Sequence, residues 1–567
     1  MILHNLECFL LALFSFPYSI YFKLKKDFSL KEKREKREIE KHHKIASPSK
    51  IFLNRNKMNH QPVQAFQSLD KIANSRSNSS RKKWMLAGIS FLFLMVLYLL
   101  MTTDQTKSFS TLPAPEGTVP FWTFTDVHFA ADYVQGSDPK TFCTAGSGDA
   151  GKIGTFNCDV PRASHPSGNR IGEAAPILDS ALSYTVRAPL SPDSSNNRAA
   201  AFALFLGDSS TLYKEHPLGT ETEEQIESNM EALATKLELK FGTRVFPTLG
   251  NHDRHPNTGC PLPSDPSYYG YLKMVARLWK RWLEPRALKT VLKGGYYYAD
   301  VFSGIRLVSL NTMFFWTENN NLTEDIAGQL EWLDNTLSSM EPSRKAIIFG
   351  HIPPFLNLKT KVSMWTPYSL ERYLSILSRH SERISAQIFG HMHADAFMNV
   401  GNGKYAMISP SLTPRLSSKP PLSGQTNGKH PAFRAYLVNP RSGDITDYVQ
   451  YWANLTEGNA NGVLSWRKSY SFIEEYGLNA ESGVGKENFA SIVSRLSSSG
   501  ETWCKFFRHA FAERYFSQGN TEEMRKTFIC TIMHSTSPQD LGECMKSLEL
   551  QGDLCQGWEE IDDQTKK

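Results

Sequence analysis

Past residue 83 the chain carries no surplus of positive charge. Residues 1–83 hold 18 Lys and Arg against 7 Asp and Glu, and the rest hold 45 against 50, so the formal net charge of +6 belongs to the N-terminal stretch. A folded part without basic excess has little with which to meet a phosphate backbone, and no nucleic-acid polymer is expected as a partner. Internal repeats are absent, which sets aside repeat architectures. Cysteine is scarce early and gathered late: of the eight, only Cys8 precedes Cys143. At 40% hydrophobic and 21% charged residues the composition is ordinary and names no activity. With 567 residues there is room for more than one domain and a sizeable core.

Uncharged runs long enough to cross a bilayer are also rare. One, "WMLAGISFLFLMVLYLLM" at residues 84–101, has 18 residues and no charge. Arg81, Lys82 and Lys83 precede it directly. By the positive-inside rule they keep residues 1–83, a basic tail of disordered composition, in the cytosol and send the C-terminal bulk to the lumen or the outside. The expectation is a single-pass type II anchor, uncleaved, because signal peptides sit at the start of a chain. A further hydrophobic segment, residues 2–22, is open to two readings: another span, or sequence ahead of a start at Met58. Either leaves the large domain on the same side. Residues 102–118 follow the anchor as a linker.

Seven cysteines after the anchor fit an oxidising compartment. Local spacing pairs Cys143 with Cys158 and Cys530 with Cys544. Cys504 with Cys555 makes a third pair and leaves Cys260 spare, either as a redox-sensitive thiol or as a buried inert one. "NLT" at Asn321 and Asn454 gives two candidate N-glycan sites. The main domain is therefore expected in the lysosome or vacuole, elsewhere in the secretory pathway, or outside the cell.

Short apolar runs alternate with longer amphipathic ones along this part. Candidate strands are 121–126, 200–208, 244–251, 306–312, 345–351 and 386–393. Between them, "TEEQIESNMEALATKLELKFG" puts Ile226, Met230, Leu233 and Leu237 on one helical face, and Thr323 is a candidate cap for "LTEDIAGQLEWLDNTLSSM". Strand and helix in alternation predict a layered α/β domain. From about residue 457 the strands are expected to give way to helical sequence.

Five of the six candidate strands end in polar clusters: Asp126 and His128, Asp208, Asn251 and His252, His351, and His391 and His393. A satisfied core histidine or a solvated aspartate explains any one of these, but not five in order, four of them on or beside a glycine. Side chains released at the carboxyl ends of strands converge on one crevice. Asp, Asn and His donors without a cysteine suit Zn²⁺, Mn²⁺ or Fe rather than a structural zinc knot. Seven donors with one shared carboxylate suffice for two cations, which can activate a water, aim it at phosphorus and neutralise phosphate oxygens. His252, left without a ligand's task, is placed to protonate a leaving oxygen.

The order "DVH…GD…GNHD…GH…GHMH" resembles the calcineurin-like metallophosphoesterase superfamily. Within it, roughly residues 119–550 resemble the acid sphingomyelinase-like phosphodiesterases through "FWTFTDVHFAADY", "CTAG…FNCD", "ARLWKRWLEP", "KGGYYYADV", "SPSLTP…PAFRAYLVN", "YWANLTEGN" and "CTIMHSTSPQDLGEC". The resemblance implies an α/β fold. A four-layer β-sandwich flanked by helices is expected over 119–456, with a helical, cysteine-containing C-terminal subdomain over 457–560. It implies a di-metal phosphoric diester hydrolase with two divalent ions, zinc first among them. Asp126, His128 and His393 would hold one ion and Asn251, His351 and His391 the other, with Asp208 bridging. His252 would be the proton donor, and Asp253 would orient it or the ligands. The implied substrate is a small phosphodiester or phosphoanhydride, such as a nucleotide, a nucleotide-choline or a sphingomyelin-like lipid, attacked in line by a metal-bridging hydroxide.

The chain also departs from the family pattern. Where the family has a Pro-His pair soon after "GD", "GDSSTLYKEHPLG" offers His216 only after a longer gap. An insertion, "RLSSKPPLSGQTNGK", reads as a loop at the rim of the site. The saposin-type domain of acid sphingomyelinase has no room between residues 102 and 120, which favours nucleotide-type substrates over a bilayer lipid. Two other readings stand beside this one: a polyphosphatase-like or phosphomonoester hydrolase on the same fold, and an inactive membrane-anchored binding protein. The buried-or-binding aromatics Trp279, Trp282, Phe314, Phe315, Trp316 and Trp365 are read mainly as core.

Overall fold

Period-two alternation sorts the strands into layers. In "IRLVS", Ile305 and Leu307 join one apolar cluster and Val308 another; in "KAIIF", Ile347 and Phe349 fall on the first side and Ala346 and Ile348 on the second. A strand apolar on both faces must be covered on both. The structure, a computed structural model, describes residues 117–129, 175–185, 200–210, 222–254, 259–319, 323–357, 361–401, 403–414, 429–461, 463–513 and 521–555.

Its strands are β1 (Val119–Phe124), β2 (Ala203–Phe205), β3 (Val245–Pro247), β4 (Tyr297–Phe302), β5 (Ile305–Ser309), β6 (Lys345–Phe349), β7 (Ile384–Phe389), β8 (Ala396–Asn399), β9 (Tyr405–Ile408), β10 (Ala432–Val438), β11 (Ile445–Ala453) and β12 (Trp466–Ser471). They form two six-stranded sheets, ordered β12-β11-β10-β1-β2-β3 and β4-β5-β6-β7-β9-β8. The inner core brings Phe121, Phe202 and Tyr436 from one sheet into the same cluster as Leu307, Ile347 and Ile388 from the other. Helices α1 (Ala175–Tyr184), α2 (Glu223–Phe241), α3 (Tyr268–Trp279), α4 (Pro285–Gly294), α5 (Gln329–Ser338) and α6 (Pro367–Arg379) cover the outer faces. Leu330, Leu333 and Leu337 of α5 and Tyr373, Ile376 and Leu377 of α6 pack on the outer side of the second sheet. The expected α/β sandwich is present.

All six expected strands appear, five of them shorter than their apolar runs and β1 shifted by two residues, and six more accompany them. The missed ones, β4 and β8 to β12, pair antiparallel, β9 adding a parallel partner in β7, and several are partly sided by polar residues, a weaker signal than fully buried parallel strands give. Helix α2 starts where its capping box predicts: Thr222 Oγ1 accepts from the Gln225 N–H, and the Gln225 side chain accepts from the Thr222 N–H. The cap proposed for the other helix is corrected. Asp325, not Thr323, accepts from the N–H groups of Leu330 and Glu331, because a carboxylate with two oxygens can serve both donors. The change to helix near residue 457 is also corrected, since β12 lies beyond it as an edge strand with exposed Arg467 and Lys468.

After β12 the described chain is helical: α8 (Phe472–Glu475), which follows α7 (Leu455–Asn461), then α9 (Lys486–Ser498), α10 (Gly500–Ala510), α11 (Glu522–Met533) and α12 (Pro538–Ser547). Phe489 and Phe506 pack against Phe397 of β8, tilted and edge-on respectively, so this region completes the core rather than standing off from it. Cys504–Cys555 and Cys530–Cys544 are disulfides and Cys260 is a free, buried thiol. The Cys143–Cys158 pair, His216, Asn321 and the 84–101 segment lie outside the described residues. Among the described residues no helix is long and apolar enough to cross a membrane. Asn454 is buried, and its side chain accepts from the Glu457 N–H at the start of α7.

A charged network locks the C-terminal helices to the sandwich. His509 of α10 lies flat on Tyr470, with Nε2 3.1 Å from Glu475 and Nδ1 2.9 Å from Glu513. Burial alone would push His509 down, but the bonds to both glutamates and their charges outweigh it and hold it above its ordinary value. Glu475 is held low by its bond to His509; Glu513, which burial would raise, is held low by His509 and Arg508. A raised histidine stabilises the fold below its ordinary value and loses that contribution as pH climbs through the raised one. The lowered glutamates contribute above their ordinary value and lose it as pH falls. The full contribution thus spans the interval between the ordinary glutamate value of 4.5 and the ordinary histidine value of 6.5. His509→Gln is expected to cost about 3 kcal/mol in this window, less as the solution becomes alkaline, read from urea unfolding midpoints across pH.

Candidate active site

β1, β2 and β3 are parallel neighbours, as are β5, β6 and β7, so the loops leaving β1, β2, β3, β6 and β7 emerge together. The β1 and β2 loops continue the pairing beyond the strands: the N–H groups of Val127 and His128 both bond the Asp208 carbonyl, and that of Phe129 bonds Ser209. The structure brings Asp126, His128, Asp208 and His393 into one group whose candidate donor atoms lie within 4.8 Å of one another, and Asp208, His351 and His391 into a second. Asn251 joins the second, its Oδ1 3.1 Å from His351 Nε2. Asp208 is common to both groups.

Backbone conformation, invisible in the sequence, accounts for the convergence. Asp126, His128, Asp208, His391 and His393 all adopt positive φ, between 49° and 70°. Left-handed backbone in a residue with a Cβ costs on the order of 1 kcal/mol or more and gathers at functional sites. Aspartate and histidine tolerate it better than branched residues do. Two glycines make the close approach feasible. A Cβ on Gly250 would collide with the main-chain N and Oδ1 of Asp208, and one on Gly390 would collide with Thr125 Oγ1 and come within 3.0 Å of Asp126 Oδ2.

Outward hydrogen bonds aim the rings. His128 Nδ1 faces the Ser210 carbonyl at 3.2 Å and His351 Nδ1 faces that of Leu206 at 2.7 Å. An Nδ1–H that donates to a carbonyl leaves Nε2 with its lone pair directed inward. There the acceptors crowd. His128 Nε2 lies 3.3 Å from His393 Nε2 and 3.6 Å from Asp208 Oδ2, and His351 Nε2 lies 3.2 Å from Asp208 Oδ2. Asp126 Oδ2 accepts from Thr125 Oγ1 and from the His391 N–H, but the buried Oδ1 has no hydrogen-bond partner, although His393 Nε2 stands 3.0 Å away. Acceptors aimed at acceptors around an orphaned carboxylate oxygen fit cations between them. The residues present therefore suit a pair of divalent ions.

The protonation states agree at every donor but His351. Burial would raise Asp126, but His393 and His351 hold it low; Asp208 is likewise held low, chiefly by His351 and His252 against burial. Burial keeps His128 well below its ordinary value, and burial with the charge of His351 keeps His391 down at about 3. His351 alone is raised, to about 9, because Asp208 and Asp126 outweigh its burial. Ionised carboxylates and neutral imidazoles are what metal binding requires.

His252 belongs to neither group. Its N–H donates to Asp208 Oδ1 at 2.9 Å and its half-buried ring stands edge-on to His128, with centroids 5.1 Å apart. Asp253, expected to orient His252 or the ligands, reaches the main chain of two loops. Its buried carboxylate accepts from the N–H groups of Ser209, Ser210 and Gly250, which fastens the β2 loop to the β3 loop. Burial and the nearby Asp208 raise it to about 6. The six aromatics read as core are buried, and Trp316 alone among them borders the site, edge-on to His391 at 6.0 Å.

Two contributors were missed. Thr125, next to a strand end, carried no signal beyond its hydroxyl. Lys429, at the end of the insertion, is fully buried and donates to the carbonyls of Ser411 and His430. Burial lowers it to about 7. It pins a segment whose Leu412 and Thr413 N–H groups bond the carbonyls of Thr125 and Asp126. The block "SPSLTP…PAFR" pointed to this segment without assigning it a task.

The family model described as calcineurin-like phosphoesterase matches residues 120–395. A cyclic GMP-AMP phosphodiesterase, SMPDL3A, from Rattus norvegicus is 30% identical over 431 residues, which cover 73% of this chain and 89% of that protein. Acid sphingomyelinase-like phosphodiesterase 3b from Homo sapiens is 30% identical over 432 residues, 73% of this chain and 86% of that one. The chain belongs to the acid sphingomyelinase-like phosphodiesterase family. A more distant relative, sphingomyelinase phosphodiesterase C from Dictyostelium discoideum, is 27% identical over 465 residues, 78% of this chain and 96% of its own length.

Two outcomes follow from the geometry. Gly250→Ala is expected to force the β2 and β3 loops apart and lower kcat/KM by about a hundredfold, with metal content measured by mass spectrometry falling below that of the unaltered protein. Cys260 is buried, accepts from Asn311 Nδ2 at 3.3 Å and is pushed by burial up to about 12. Iodoacetamide at about pH 8 is expected to leave it untouched in the native protein and to modify it in denaturant, as peptide mass analysis would reveal.

Proposed function

We propose that this phosphodiesterase binds one divalent cation through Asp126, His128 and His393 and a second through Asn251, His351 and His391, with Asp208 shared, and that zinc is the metal. The observation that carries the reading is the sharing of Asp208 by two donor groups whose lone pairs face one another. Oxygen and nitrogen donors of this kind suit zinc, manganese or iron, and the family resemblance puts zinc first. When bound, the two ions supply Lewis acidity, activating a water and neutralising charge on phosphate oxygens.

The chain's own residues do the rest. Thr125 and the His391 N–H orient Asp126, and the carbonyls of Ser210 and Leu206 orient His128 and His351. Asp253 keeps the loops of Asp208 and Asn251 in register. His252, tethered through its own N–H to Asp208, holds a proton at the mouth of the cluster for the leaving oxygen. Buried walls exclude bulk water from the donors.

The substrate class proposed is a nucleotide-type phosphodiester or phosphoanhydride. Similarity to a protein named cyclic GMP-AMP phosphodiesterase supports it, and similarity to sphingomyelinases names the competing class. The two disulfides mark a secreted or lumenal protein. A type II anchor at residues 84–101 and a glycan at Asn321 are proposed on the uncharged run with its basic flank and on the sequon.

Bis(p-nitrophenyl) phosphate and p-nitrophenyl phosphate distinguish the reactions. The purified protein is expected to prefer the diester, to lose turnover to a chelator and regain it with zinc, and to fall by about a hundredfold or more with His252→Ala or Asp208→Asn. Cyclic GMP-AMP is expected to be cleaved faster than sphingomyelin vesicles. Monoester preference would instead favour the phosphomonoester hydrolase reading, and no metal-dependent turnover in a protein carrying two ions would sink the esterase assignment.

A further inference from the structure

The end of the sandwich away from the histidines holds a second cavity, of about 220 Å³. It opens where the edge strands of the two sheets, β3 and β4, approach one another. Its residues Ala201, Thr243 and Arg244 precede β2 and β3, whereas the metal donors follow them. Phe202, Phe246, Trp282 and Tyr298 supply ring walls.

Charge around these rings is unbalanced. Asp300, on the wall, is held by Arg306 at 2.7 and 2.9 Å and by Arg344 at 3.0 Å, with Arg286 4.0 Å away. Glu284 pairs with Arg286 at 2.8 Å. Arg244 adds a fourth guanidinium, and among the described residues one of its nitrogens is engaged, by the Ala201 carbonyl. Four guanidiniums thus meet two carboxylates. α4 begins at the same wall with Pro285 in its first turn and no side-chain cap, so its positive end is left facing this region. Arg286 is half-exposed and lies over the Tyr298 ring, whose centroid is 5.3 Å from its Cζ. The Trp282 indole N–H is 98% buried with its residue and meets no acceptor among the described residues.

We propose that this cavity is an accessory binding site for a small aromatic anion, a flat body of one or two rings bearing a carboxylate or similar group. The rings would lie among Phe202, Phe246 and Trp282, and the charge would face Arg244, Arg286 and the start of α4. A void of roughly 150 Å³ accepts a single benzene ring, so this one has room for slightly more. Apolar walls with a few convergent cationic donors are the make-up of a ligand pocket. The inference stands apart from the metal site and does not depend on the reaction assigned there.

The probe is 2-naphthoate, titrated into the full chain labelled with 5-fluorotryptophan and followed by fluorine NMR. Trp282→Phe assigns the Trp282 signal by its disappearance. Saturable movement of that signal is expected at concentrations below about 5 mM, weakened about tenfold or more by Arg286→Met and by replacing 2-naphthoate with the neutral 2-naphthalenemethanol. Arg286→Met is expected to leave diester hydrolysis unchanged, which shows that the variant is folded. An unmoved Trp282 signal, binding equal to the unaltered chain's in a folded Arg286→Met variant, or equal binding of the alcohol would each overturn the proposal.

Discussion

Two carboxylates and several imidazole nitrogens, buried together with their lone pairs facing inward, form an arrangement that repels itself. Nothing in hydrophobic packing asks for it, and desolvation of the two aspartates works against it. Everything around the cluster can be understood as holding it in place against that repulsion. The outward carbonyl bonds set the rings, and Asp253 fastens one pair of loops. Gly250 and Gly390 let neighbouring loops come closer than any side chain would allow. Buried Lys429 braces the segment behind Asp126. The sandwich supplies the stiffness: parallel strands with both faces covered cannot slip, so the loops that leave them keep a common origin.

Local backbone strain belongs to the same account. Five of the donors sit in the left-handed region, a run of unfavourable conformations that a free loop would relax. Asp126, His128 and Asp208 are bounded by inter-loop main-chain bonds, such as those from Asp126 to Gly207 and from Thr413 to Asp126, and His391 is tied through its N–H to the Asp126 carboxylate. The strain is carried by the rest of the fold, which explains why so many of the surrounding residues touch the site only through their main chain.

That distinction also decides what could be read in advance. Residues that act through their side chains were legible: Asp126, His128, Asp208, Asn251, His252, His351, His391 and His393 each announced themselves by type, order and position at the end of an apolar run. The buried parallel strands were legible for the same reason, as uninterrupted apolar segments. Lys429 was not, because a lysine at the end of a polar insertion looks solvated, and the main-chain donors through which Asp253 does its orienting carry no mark in the sequence. Antiparallel strands such as β12 were hidden by their exposed charged side, and Asp325 was hidden because it caps a helix across an intervening short turn. Thr125 and the positive φ values depend on three-dimensional contacts for which a linear sequence has no mark.

Each donor group draws on both sheets: Asp126, His128, Asp208 and Asn251 come from loops of the first, and His351, His391 and His393 from loops of the second. Any ion held there is consequently gripped by two layers at once and acts as a cross-brace between them. By mass action, a ligand that binds only the assembled pair of sheets adds about 4 kcal/mol to the folded state when its concentration exceeds its dissociation constant a thousandfold. The same cluster that would perform the chemistry would then also be a rivet for the sandwich, and a cell compartment's supply of metal would govern the lifetime of the molecule as well as its rate.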